Sequence, residues 1–186
     1  MLQLPPIPSW DSIHPAIVHF PIALLLLSPL FILISAILPP SKGRPYMTVA
    51  LVITLLGTIS LFVAASSGEA AAELAERGGR VDAVLAAHED LASETRIVFA
   101  GLSAILLGML VVPRLLHREE NRLSSTLMPI AFLALYSVGV LFLLNTAHAG
   151  GRLVHEFGVH AMTNDPGARP SAPEVPKTEA ANNEKD

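Results

Sequence analysis

The stretch HPAIVHFPIALLLLSPLFILISAIL, residues 14–38, opens with two histidines and two prolines and then runs apolar almost without interruption. Its greasy part, Ala16 to Leu38, exceeds the roughly 20 apolar residues a helix needs to cross a ~30 Å hydrocarbon core. It lacks a basic n-region, its apolar part is longer than an h-region, and no small-residue cleavage site precedes Pro39-Pro40, so it reads as a retained span and not a signal peptide. Three further runs have the same character: Tyr46 to Ala65, Ile97 to Val112 with its flanks, and Leu127 to Ala147.

Composition agrees with that reading. The 186 residues are 52% hydrophobic and 15% charged, with a mean hydropathy of +0.54, too apolar for a water-soluble domain of this length. The expectation is an all-α membrane protein: a four-transmembrane-helix bundle, with a short helical segment outside the cytoplasm between spans two and three. Residues 1–162 form the transmembrane domain, with spans at about 16–38, 46–65, 97–113 and 127–147. The Pro-, Ala-, Asn- and Glu-rich end, 163–186, reads as a disordered polar tail. A net charge of −4 gives no basic footprint for nucleic acid, so membrane lipid is the expected partner. The absence of cysteine excludes disulfides, iron–sulfur clusters and c-type haem attachment, which leaves histidine as the main metal ligand.

Basic loops orient the bundle. Lys42 and Arg44 lie between spans one and two, and Arg114, Arg118 and Arg122 between spans three and four, which predicts that both loops are cytoplasmic and both termini outside. The long segment from Ser66 to Arg96 then faces outward. Within it, Ser66 and Glu69 make a capping box for a short helix ending at Gly78-Gly79, and Asp82 can cap a second helix that carries His88 on its apolar face. Gly150-Gly151 predicts a break after span four, followed by a surface-lying piece containing Leu153, Val154 and Phe157.

This topology gathers His14, His19, His88, His148, His155 and His160 at or beyond the outer boundary and leaves only His117 in the cytoplasm. His155 and His160 are five residues apart, about 140° around a helix, so HEFGVH does not reproduce the H-E-x-x-H metal site. Pro15 suits the first turn of a helix, and His14 before it is biased toward extended geometry, outside the helix. Pro21 frees the Ile17 carbonyl next to His19. His19 and His148 are level in depth, so the expectation is that His19 is held inside the mouth of the bundle, facing His148 and, in a wider set, His88.

HPAIVHFPIALL at residues 14–25, SGEAA after span two, His88, and THAGGRLVHEFGV after span four together resemble the bacterial membrane family known as domain of unknown function 2231. The resemblance runs from His14 to Gly158 and rests chiefly on the H-P-x-x-V-H-F-P opening. It implies a bacterial inner-membrane location and, because some relatives are joined to cytochrome-like segments, a redox setting. Family members usually carry tyrosine where this chain has His155.

Two functional readings stay open. In the first the chain is a b-type haem-binding or electron-transfer subunit: His19, His148 and His88 are the metal ligands, His14 completes the cofactor-binding set, and Arg96 or Arg152 pairs with haem propionates. A redox protein or a larger membrane complex would then be its partner. In the second it is a structural or accessory subunit without a cofactor, docked through the Ala100, Ala104, Gly108 stripe of span three. Transport fits less well, since the spans hold almost no charge. A stand-alone enzyme is not expected, because no nucleophile–base spacing is recognisable.

Overall fold

The computed structural model describes residues 9–10, 12–74, 79–117 and 121–159. Helices α1 (His14–Ile17), α2 (His19–Ile37), α3 (Pro40–Leu74), α4 (Arg80–Leu115) and α5 (Arg122–His155) account for nearly all of them, and no strand occurs among the described residues. Four rods are long and apolar enough to cross a membrane: α1 with α2, then α3, α4 and α5. A bilayer offers no water to backbone amides, so helices, which pair their own polar groups, are the expected solution for such a sequence. The tail from residue 163 lies outside the described residues.

The break between α1 and α2 falls at Val18 and has a covalent cause. Pro21 has no N–H to give to the Ile17 carbonyl, and the next bond, from the Ile22 N–H to the Val18 carbonyl, is stretched to 3.4 Å. Pro29 poses the same problem deeper in α2, where it leaves the Leu25 carbonyl without its helical donor. Tyr136 of α5 solves it. Its side chain is fully buried and its hydroxyl donates to the Leu25 carbonyl at 3.0 Å.

The rods form a ring in which α2 and α4 each pack on both α3 and α5. Leu25, Ile32, Phe99, Leu106 and Tyr136 form its centre, with Phe99 and Phe132 set edge-on to the Tyr136 ring at centroid distances of 5.5 and 5.9 Å. Close approach depends on small residues: a Cβ at Gly57 would lie 2.6 Å from the Leu25 side chain, and one at Gly139 2.7 Å from Leu102. Hydroxyl pairs add polar links between rods, namely Ser28 with Thr54 (2.6 Å), Thr58 with Ser103 (2.9 Å) and Thr95 with Thr146 (2.8 Å). Leu26, Leu30 and Leu33 instead face outward, as expected of lipid-facing positions.

Three local expectations are corrected. Ser66 does not start a helix: α3 runs through it for 35 residues, and buried Ser67 turns its hydroxyl back on the Ala64 carbonyl at 2.9 Å. Likewise α4 begins at Arg80, preceded by Gly79 with φ 55°, and Asp82 lies inside its first turn. The helical segment between spans two and three therefore consists of extensions of α3 and α4; at 1.5 Å per residue α3 measures ~52 Å, well beyond a ~30 Å core. Finally, Gly150-Gly151 does not break α5, which continues to His155 and buries Leu153 against Ala72 and Leu85. Neighbouring helices supply the packing that local glycine propensity lacks.

Candidate functional site

A cavity of about 660 Å³ opens at the end of the bundle where α1 and α4 begin and α3 and α5 finish, and its wall draws on all the rods. The volume falls within the ~300–1,000 Å³ typical of ligand and cofactor sites. Two imidazoles, His14 and His88, stand in that wall.

The two rings are held in the same way. His14 Nδ1 lies 2.8 Å from the Ala64 carbonyl oxygen, with the Ser67 hydroxyl also at 3.2 Å, and His88 Nδ1 lies 3.0 Å from the Thr146 carbonyl oxygen. A carbonyl can only accept, so each Nδ1 carries the proton and donates it; a neutral ring then has its lone pair on Nε2. Neither Nε2 forms a hydrogen bond among the described residues.

Behind each ring is a glycine one helical turn beyond the accepting carbonyl. A Cβ at Gly68 would come within 2.8 Å of His14 Cε1, and one at Gly150 within 3.0 Å of His88 Cε1. The correspondence extends along the wall. Leu61 and Leu143 lie three residues before the accepting residues, Ala65 and Ala147 one after them, and Val18 and Ala92 one turn after the histidines. The first hairpin (α1, α2 and α3) and the second (α4 and α5) thus contribute the same positions at the same offsets.

The structure places the expected histidines in different surroundings. His19 is exposed and does not line the cavity; its Nδ1 lies 2.7 Å from the Pro15 carbonyl on its own rod, and not against the Ile17 carbonyl freed by Pro21. His148 is exposed as well, and so is His155. His14, expected outside the helix, is the first residue of α1 despite preceding proline, because the cross-rod bond to Ala64 outweighs the local bias toward extended backbone. Residue 160 lies outside the described residues. The signal that sequence reading missed is a small residue followed four places later by glycine at the ends of spans two and four, Ala64 with Gly68 and Thr146 with Gly150.

The two arginines separate in the same manner. Arg96 lines the cavity, with its Nη1 3.6 Å from Glu69 Oε1 and its guanidinium 5.9 Å from the centre of the Phe62 ring. Arg152 points away and makes a forked contact with Glu156 at 3.0–3.1 Å. Among the described residues no group of three or more His, Asp or Glu side chains converges to hold a metal ion, so a metal held here by side chains alone would rest on the two imidazoles.

The fold and its histidine-lined end define a polytopic helical membrane protein with an internal cavity. Residues 11–163 match the family described as predicted membrane protein (DUF2231), and the chain belongs to that family. No curated protein and no solved structure matches it.

Proposed function

We propose that the cavity would hold a b-type haem through His14 and His88, and that the protein serves as an electron-transfer subunit of the membrane. The observation that supports this most is the duplicated clamp: two imidazoles, one from each hairpin, each with Nδ1 tied to a backbone carbonyl, which leaves Nε2 to ligate. A second hydrogen bond of this kind fixes the tautomer and orientation of a metal-bound histidine. Two imidazole nitrogens are also a donor set that would hold a haem iron. Haem would supply one-electron chemistry there, while the chain's part is to orient the rings and to surround the site with Leu61, Leu143 and other apolar groups.

The test is the visible spectrum of the protein purified from haem-replete cells. A low-spin spectrum is expected, abolished by His14→Ala and by His88→Ala and unchanged by His19→Ala and His148→Ala. A folded protein that takes up no haem overturns the reading; unchanged spectra in the first two variants overturn the ligand assignment.

The orientation belongs to the same proposal: a bacterial inner-membrane protein with both termini and the cavity on the outer side, where a redox protein could reach it. The basic loops support it. Cysteines placed at Ser41 and Ser125 should be shielded from an impermeant label applied outside, and one at Ala83 should react; the opposite pattern reverses the topology.

One observation favours the accessory-subunit reading in parallel. Ala100 and Ala104 are exposed, and nothing lies within 4 Å of where a Cβ would stand on Gly101 or Gly108, so the small-residue stripe of α4 faces away from its own bundle. Such a stripe permits close approach of another membrane helix. Copurification of a second membrane protein, lost on Ala104→Leu, is the result expected from docking there.

A further inference from the structure

Along the two-fold correspondence of the cavity wall, one position carries a basic group in the second half and an apolar one in the first. Eight residues after His14 stands Ile22; eight residues after His88 stands Arg96. Arg96 is the only Lys or Arg among the described residues of the wall, which otherwise holds the acidic groups Glu69, Glu73, Glu89 and Asp90. Its side chain is 24% exposed and lies near the Phe62 ring, whereas the Glu69 side chain is 64% exposed.

The contact between them is loose. At 3.6 Å it is an ion contact longer than a hydrogen bond, and its acidic partner stays largely in solvent, so giving it up costs little. A guanidinium offers forked donors to a carboxylate and gains most where water is scarce. Arg96 is the basic group of the described wall, so a ligand's carboxylates are drawn to its side.

We infer that Arg96 is the anchor for a carboxylate carried by the ligand of this cavity, and that Glu69 occupies the guanidinium until that carboxylate displaces it. The inference rests on the haem reading, in which the carboxylates are the propionates. Arg96 is therefore a positioning residue: as the basic group of the described wall, it favours one way round for the ligand. Arg152 has no such role, since it does not line the cavity and already grips Glu156.

The test titrates the haem-free protein in detergent with haem b and with its dimethyl ester, whose propionates carry no charge, following the low-spin spectrum. Arg96→Leu should weaken haem b binding roughly 10- to 100-fold, as expected for loss of a charge-assisted hydrogen bond, and leave the ester's binding nearly unchanged. Arg96→Lys should recover part of the loss. Glu69→Gln should tighten haem b severalfold, because the competitor is gone, without affecting the ester. Equal affinity of wild type and Arg96→Leu for haem b overturns the inference, as does an equal loss for both ligands, which would mark a structural role. If the wild type forms no low-spin complex at all, the haem reading falls and takes this one with it; a low-spin wild type with an indifferent Arg96 variant sinks only the anchor.

Discussion

The first hairpin and the second build the same clamp, with only the accepting residue changed. Ala64 and Thr146 both offer a carbonyl, Gly68 and Gly150 both clear space for a ring, and His14 and His88 both fill that space. Around this common geometry the halves diverge. The first reaches it through a proline-broken entrance, with Pro15 and Pro21 flanking Val18. The second uses an unbroken α4 and backs the accepting residue with a hydroxyl pair, Thr95 with Thr146. The lesson is that the hydrogen-bond direction and the missing Cβ define the clamp, while the route of the chain into it differs between the halves.

The largest effects should come from the glycines that the halves share. Gly68→Ala and Gly150→Ala each push a methyl group into an imidazole, and overpacking of this kind typically costs about 1–3 kcal/mol. Thermal unfolding in detergent should show both losses, the greater at Gly68, where the approach is 2.8 Å against 3.0 Å. Equal tolerance of both substitutions would mean that the rings are not held as described.

Next is the contact that joins the halves. Tyr136→Phe strips the donor from the Leu25 carbonyl, an unsatisfied buried group worth roughly 1–3 kcal/mol. Pro29→Ala restores the helical N–H to that carbonyl and should recover most of the stability in the double variant. Failure of the rescue would place the role of Tyr136 in its ring contacts with Phe99 and Phe132 instead.

A smaller difference sharpens the contrast between the clamps. Thr95→Val and Thr146→Val remove the hydroxyl pair at the second clamp's accepting residue, and a double-variant cycle should return about 0.6 kcal/mol, the usual strength of such bonds in membranes. The smallest effect belongs to Arg152→Ala: its pair with Glu156 is on the outside of α5, so haem affinity should match the wild type. A marked loss there would return Arg152 to the site.

Much of the fold was legible in advance. Four apolar runs, each bounded by prolines, glycines or charges, dictate four membrane helices, because an unpaired amide in hydrocarbon is prohibitive whatever the neighbours are. Helix ends were less legible: Ser66 and Gly150 carry real local signals for starting and stopping, yet both lie inside helices whose outer turns are packed against one another through Ala72, Leu85 and Leu153.

The histidines mark the limit most clearly. Sequence placed His14, His19, His88 and His148 near one boundary by depth, but depth says nothing about which way a side chain turns. His14 and His19 are five residues apart and leave the rod in different directions, one to the Ala64 carbonyl of α3 and the other to its own Pro15 carbonyl. Only the rotation of each rod within the ring decides that, and it is set by contacts as distant in sequence as Gly57 against Leu25 and Tyr136 against the Leu25 carbonyl. Hydropathy and charge determined that this chain is a bundle of membrane helices, since transfer into lipid is a sum over residues; tertiary packing decided which imidazoles share the cavity, since that depends on how four rods interlock.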